Sequence, residues 1–388
     1  MEWTRASWRL PLAVLIVSLV SSVSRANSAS LECPIEPSSG QPACSSSVDV
    51  GSNAPDESSS QHVGNPIDVV SGNKYQSEAD IQLGGSPLSL VRHYNSSQAA
   101  INLGLGNGWR HTYSIVLSTD GDDVRRIHQS DGRLIEFYRH GDQFKADNES
   151  DGHVVESIDG RFFWYLPDGR RFSFQGSFLT GISFANGEHL SLMYRAMRLH
   201  SVTDDLGRSL IFHYTPGETG LPAYDSSPDM SAPGHLESVS LPGGESVRFQ
   251  YSRDQNLVSA IYPFGIQRHS ERRYQYGDTR NRALLTERVN GAGKILARWS
   301  YDDLGRAVSY NRGSNIRSDG SDRNPVTLAL HYPSDNEKDS GTTRVQFGSG
   351  VEQIYDWQLN ASGQVSVAER RDATAESSTQ TENDNVVD

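Results

Sequence analysis

Three glycines at 104, 106 and 108, in the string GLGNGW, are close enough together to cradle a phosphate. Such a loop works only where its backbone N–H groups open a helix whose N-terminus faces the anion. The residues that follow, RHTYSIVLS, alternate as a strand does, so the string reads as a glycine-rich bend. No Gly-x-Ser-x-Gly elbow occurs, and neither cysteine has a local partner resembling a catalytic pair. The 12 histidines are scattered rather than paired at metal-ligand spacing, and His93, His111 and His213 fall inside strand patterns. TDGDDV (119–124) and RSDGSDRN (317–324) are acidic but lack the spacing of a calcium loop, and read as hairpin turns. Neither a metal nor a cofactor is therefore expected. Carboxylates are plentiful enough for a glycosidase pair, yet nothing singles out two of them.

The aromatic residues are more suggestive. In RFFWYLP, Phe162 and Trp164 share one face of a strand, and Phe163 and Tyr165 share the other. An exposed aromatic row can stack against the apolar faces of sugar rings, which makes Trp164 and Tyr165 the candidate ligand-binding residues. The alternative is a curled sheet that covers aromatics on both faces.

These residues need a frame, and a repeated string describes it. VTDDLGRSLIFHY (202–214) and YDDLGRAVSY (301–310) both carry Asp-Asp-Leu-Gly-Arg ahead of an alternating apolar run. SDGRLIEFY, IDGRFFWYL, PDGRRFSF, NGEHLSLMY and GGESVRFQY vary the same theme, with turn glycines at 132, 160, 169, 187 and 244. Asp hydrogen-bonds its own turn, Gly takes the positive φ, and β-branched and aromatic residues suit the strand behind them. Asp204, Gly207 and Arg208, and again Asp302, Gly305 and Arg306, are read as structural turn residues. Between 63 and 365 no stretch long enough for a helix has a period of 3.6, so an all-β chain of successive hairpins is predicted.

The flanks differ in character. Arg5 and Arg9, the apolar LPLAVLIVSLV and the small residues around Ala26 read as a secretory signal over 1–26, too short to span a membrane. The chain after cleavage has no second apolar run and is expected to be soluble, in the periplasm, at the cell surface or secreted. A net charge of −13, more negative once three arginines and one glutamate leave with the signal, makes nucleic acid and anionic membranes poor partners. Residues 27–62 are rich in Ser, Pro and Gly and read as a linker; Cys33 and Cys44 within it can pair in an oxidising compartment. Residues 366–388 read as a disordered acidic tail.

YDDLGRAVSY resembles the tyrosine-aspartate (YD) repeat of rearrangement-hotspot (RHS) proteins, with VTDDLGRSLIFHY a variant bearing Thr203 in the tyrosine position. NPIDVVSGNKYQSEADIQLGGSPLSLVRHYNSS (65–97) with GLGNGWRHTY (104–113) resembles the module that opens the repeat region in that family. The resemblance implies an opening β module over 63–120 and repeats over 121–365, curled as part of a spiral shell. It does not extend to the Asp-Pro self-cleavage motif of the toxin members, because no Asp-Pro occurs. With so few repeats the sheet is expected to remain open at both ends. These features suggest a non-enzymatic exported scaffold that binds an envelope glycan or a protein partner. The alternatives are a truncated shell or delivery component of a polymorphic toxin system and, behind it, a glycoside-active enzyme.

Overall fold

The computed structural model describes residues 62–215, 234–263, 270–313, 316–317, 319–321, 326–333, 340–359 and 365–372. The signal segment, the linker with Cys33 and Cys44, and the chain beyond Asp372 lie outside the described residues. The described chain is all β, as the alternation predicts. Its helical turns are short 3-10 pieces such as Ser96–Gln98 and Glu149–Asp151.

The described residues open with a short hairpin, β1 (His62–Val63) and β2 (Ile67–Asp68), and a three-stranded antiparallel sheet, β3 (Tyr75–Gln82), β4 (Ser89–Asn95) and β5 (Trp109–His111). A long antiparallel ribbon then begins at β6 (Val116–Asp120), and each strand pairs with the next. It runs through β7 (Val124–His128), β8 (Leu134–His140), β9 (Gln143–Lys145), β10 (His153–Glu156), β11 (Arg161–Tyr165), β12 (Arg171–Gln175) and β13 (Phe178–Ser183). It continues from β14 (His189–Arg195) to β27 (Val365–Asp372).

The ribbon departs from the expected open sheet. β13 returns to β6 through the pair Phe178↔Val116, and the Leu117 N–H donates to the Ser177 carbonyl at 3.3 Å. The first eight strands thereby close into a ring. Eight strands enclose just enough space to be filled by side chains, and this interior is packed with Ile127, Phe137, Phe144, Trp164, Phe172 and Phe174. Only the far end stays open: among the described residues β27 pairs on one side alone, with β26 (Glu352–Leu359). That last strand also extends the folded region to Asp372, seven residues into the segment read as a disordered tail.

Many of the hairpins share one local device, seen in the two copies of the repeated string. The Asp204 N–H donates to the Arg208 carbonyl and the Gly207 N–H to the Asp204 carbonyl, both at 3.0 Å; Asp302, Gly305 and Arg306 repeat this at 2.9 and 3.1 Å. Gly207 and Gly305 sit at φ +77° and +80°, the left-handed position of a three-residue hairpin loop. One carboxylate oxygen of the Asp accepts the arginine's backbone N–H at 2.9 Å, while the other accepts its Nε, at 2.8 Å in the first turn and 2.7 Å in the second. A Cβ added at either glycine would meet nothing within 4 Å. Valine at 207 or 305 is therefore expected to cost about 1–3 kcal/mol through backbone strain alone, read as a lower denaturation midpoint. Unchanged midpoints in both variants would show that the turns are not built this way.

The opening module lies against the inner face of the later ribbon and inside one continuous core. Six of the seven residues of β4 are buried, which leaves neither face of that strand to solvent. Its contacts are spread along the chain: Tyr94 Oη donates to the Ala283 carbonyl (2.9 Å), Trp109 Nε1 to Tyr276 Oη (2.8 Å) and Thr343 Oγ1 to the Val69 carbonyl (2.6 Å). The two Asp-Asp-Leu-Gly-Arg turns take part as well. Asp204 accepts from Ser86 Oγ at 2.7 Å and Arg208 donates to the Gly85 carbonyl at 2.7 Å, while the Ala307 N–H donates to the Gly72 carbonyl at 2.8 Å. Each copy of the repeated string thus receives one turn of the opening module.

Candidate functional site

The two candidate ligand residues part company in the structure. Trp164 is 1% exposed; its Nε1 donates to the Asp151 carbonyl at 2.7 Å and its ring stacks on Phe172 at 4.8 Å. It belongs to the ring's core, so Trp164 and Tyr165 do not form one stacking platform. The physical reason is their adjacency: neighbouring residues of a strand point to opposite faces. Tyr165 lies half-buried on the outer face, with its ring parallel to that of His153 at 5.2 Å and 11°.

The pairing register sets Tyr165 in a row. His153, Tyr165, Arg171, Ser183 and His189 are successive Cα partners across β10, β11, β12, β13 and β14, and all five are half-buried. Arg171 Nη2 donates to Ser183 Oγ at 3.3 Å, and Ser183 Oγ lies 3.2 Å from His189 Nδ1. The neighbouring row is Val155, Phe163, Ser173, Gly181 and Ser191, mostly small, with the Arg171 guanidinium 5.5 Å from the Phe163 ring centre. A flat aromatic beside a guanidinium and small polar groups can stack and hydrogen-bond a ligand. Ser183 and His189 are within hydrogen-bond reach of each other, but among the described residues no third group orients the imidazole as a catalytic base. From sequence, Tyr165 was legible as part of an aromatic run. Arg171, Ser183 and His189 were not, because only the strand register brings them beside it.

A second set of chemistry-bearing residues is buried. Asp80 and Arg92 form a salt bridge with both side chains at 0% exposure; Tyr262 Oη donates to Asp80 at 2.6 Å, and Arg92 Nη2 donates to Tyr274 Oη at 3.0 Å. Glu78 pairs with Arg272 and lies 3.6 Å from Arg288. Burial alone would lower the Arg92 pKa, but Asp80 reverses this and holds it above the ordinary arginine value. These groups join the opening module to the ribbon. Sequence reasoning passed over Gln76, Glu78 and Asp80, since alternating polar residues read as a solvent face; here they face the ribbon.

Nearer the ring, Tyr75 Oη lies 2.6 Å from His93 Nδ1, and Asp131, Arg110 and His128 act electrostatically on the same region. Burial pushes His93 down to about 3 and Asp131 up to about 6. Tyr75, His93, Arg110 and Asp131 are all buried, which ties them to structure rather than to a substrate arriving from solvent. Among the described residues no group of three or more His, Cys, Asp or Glu side chains is placed to hold a metal ion. GLGNGW forms a bend whose Gly106 packs against Leu257, and it leads into β5 rather than a helix. Among the described residues no helix is long and apolar enough to cross a membrane.

A family described as a domain of unknown function (DUF6531) matches residues 64–137, the opening module together with the first strands of the ring. A comparison with characterised protein sequences finds no match. Among solved structures, the chain is similar to a crystal structure of TcdB2-TccC3, with TM-score 0.31, 10% identity, and 78% of this chain and 20% of that one covered. It is also similar to TcdB2-TccC3-TEV, with TM-score 0.20, 11% identity, and 74% and 19% covered. The chain thus spans about a fifth of the length of those structures.

Proposed function

We propose that this chain is an exported, non-enzymatic RHS/YD-repeat scaffold of the cell envelope that binds a glycan on its outer face. One observation carries the reading: the inner face of the sheet is filled, by the ring's own side chains around Trp164 and by the opening module along the later ribbon. A ligand therefore meets the outer face, where Tyr165 stands half-exposed among polar side chains. The buried ionic groups are spent on joining module to ribbon, and none stands beside Tyr165 as a hydrolytic pair. Purified protein passed over immobilised envelope polysaccharides is expected to be retained without releasing reducing ends. Tyr165→Ala should weaken retention by roughly 1 kcal/mol while the melting temperature is kept. Turnover of a polysaccharide, abolished by changing one carboxylate, would overturn the non-enzymatic reading.

Among the described residues β27 pairs on one side alone, which favours a second reading, a shell or delivery component to which a further strand is added. A toxin–immunity gene pair beside its own gene would support this reading, and an ordinary envelope locus would remove it.

A further inference from the structure

We infer that the outer row around Arg171 recognises an acidic sugar, the guanidinium taking the oxyanion and Tyr165 the ring; this rests on the glycan reading above. The argument begins with charge. The chain is acidic overall, and the arginines beside this row are already committed: Arg161 to Asp159 and Arg170 to Asp168, each at 2.7 Å. Arg171 is different. Among the described residues it pairs with no carboxylate, its Nε is buried without a hydrogen-bond partner, and its one side-chain hydrogen bond is the long contact to Ser183. The buried Nε is out of a ligand's reach, but the terminal nitrogens of this half-buried guanidinium make only one long hydrogen bond, and a charged acceptor from outside satisfies them best.

The surroundings fit such an acceptor. Carboxylates of the neighbouring turns are engaged: Asp159 and Asp168 as above, Asp205 by the His189 N–H at 2.7 Å, and Glu188 by Asn186 Nδ2 at 2.7 Å. Ser183 and His189 stand one and two strands along from Arg171 and supply further hydrogen-bonding groups. On the other side Tyr165, backed by His153, presents a ring one strand spacing from Arg171. Strands about 4.8 Å apart give the five-residue row a length of roughly 19 Å, room for several linked sugar rings rather than one. Gly181, in the adjoining row, lacks a side chain; a Cβ there would come within 2.9 Å of the His189 ring, so the glycine lets that imidazole lie across β13. A row that combines a stacking ring with a cation that no described carboxylate pairs selects polymers that carry charge on the sugar itself. The oxyanion could be a carboxylate or a sulfate, and the two are separated by experiment.

The test uses the purified chain and three polymers: polygalacturonate, dextran sulfate and neutral dextran. Retention is expected on one or both charged polymers and not on dextran, with affinity falling as salt is raised. Arg171→Gln should lower that affinity about ten-fold or more, the range of a charge-assisted hydrogen bond, and Arg171→Lys should restore part of it. Arg161→Gln, which removes a cation already paired, should leave it unchanged. Polygalacturonate alone assigns a carboxylate, and dextran sulfate alone a sulfate. Binding of charged polymers that Arg171→Gln leaves unaltered, with its melting temperature intact, overturns the inference. So does equal retention on dextran, although the glycan reading then survives. Failure on all three polymers overturns the inference, and the wider polysaccharide panel described above then decides the glycan reading separately. If Arg171→Gln fails to fold, Tyr165→Ala and the salt dependence of the unaltered chain carry the test: salt-independent binding overturns it.

Discussion

Asp80→Ala is expected to destabilise the protein by about 3–5 kcal/mol, the loss typical of removing one partner from a buried ion pair. The residue accepts from Arg92 on both carboxylate oxygens and from Tyr262, and neither member of the pair is exposed. Without it, Arg92 keeps the Tyr262 and Tyr274 hydroxyls at 3.2 and 3.0 Å and the faces of Trp109, Phe249 and Tyr274 at 5.0–5.4 Å. Those contacts do not neutralise a guanidinium taken out of water. Because the pair stands where β3 and β4 meet the later ribbon, the variant should also open the module to protease before the ring unfolds. Asp80→Leu combined with Arg92→Met should cost much less than either single change, since a buried pair exchanged for apolar groups of similar size is often neutral. Denaturant titration of the unaltered chain and the four variants decides it. A loss below about 1 kcal/mol for Asp80→Ala would mean that the module is not held by this pair.

Acid should unfold the protein cooperatively between about pH 6.5 and 4. Burial pushes His93 down to about 3, with help from His111, Arg110 and Arg92, and pushes His111 down to about 4. Burial, then Arg110 and Arg126, takes His128 to about 4. A histidine whose folded pKa is depressed contributes stability that is complete above its unfolded value of 6.5 and is lost as the pH falls toward the folded value. Each fully buried histidine is worth on the order of 3 kcal/mol at pH 4. Asp131 works in the opposite direction: burial raises it to about 6, so its contribution is complete below the unfolded value near 3.8 and is lost as the pH rises through 6. Three histidines against one aspartate leave a net loss of about 6 kcal/mol on going from pH 7 to 4, a large part of the stability of most domains. His128→Gln should move the acid midpoint to lower pH, because one group that must charge is gone. A melting temperature that is flat from pH 7 to 4 would refute the assignment of these histidines as buried and neutral.

What the sequence determined by itself is the local machinery. Asp302, Gly305 and Arg306 hydrogen-bond within five consecutive residues, so their spacing states the turn outright, and the alternation behind each turn states a strand. The pairing of Phe162 with Trp164 and of Phe163 with Tyr165 follows from the period of two. Which pair faces inward does not follow from it: an alternating strand reads the same from both sides, and only closure of the ring through Phe178 and Val116 turned Trp164 into core. The same limit hid Asp80, whose alternation with Glu78 and Gln76 looks like a wet face until a second layer of sheet covers it. The row at Arg171 needed still more. Its five members come from five strands joined by turns of differing length, and a register shift between Ser173 and Phe174 changes which residues stand side by side. Register and closure are settled by the packing of the whole ribbon around residues 63–115, over separations such as the 182 residues between Asp80 and Tyr262. No local pattern carries that information, because what fixes it is the burial of one part of the chain by another.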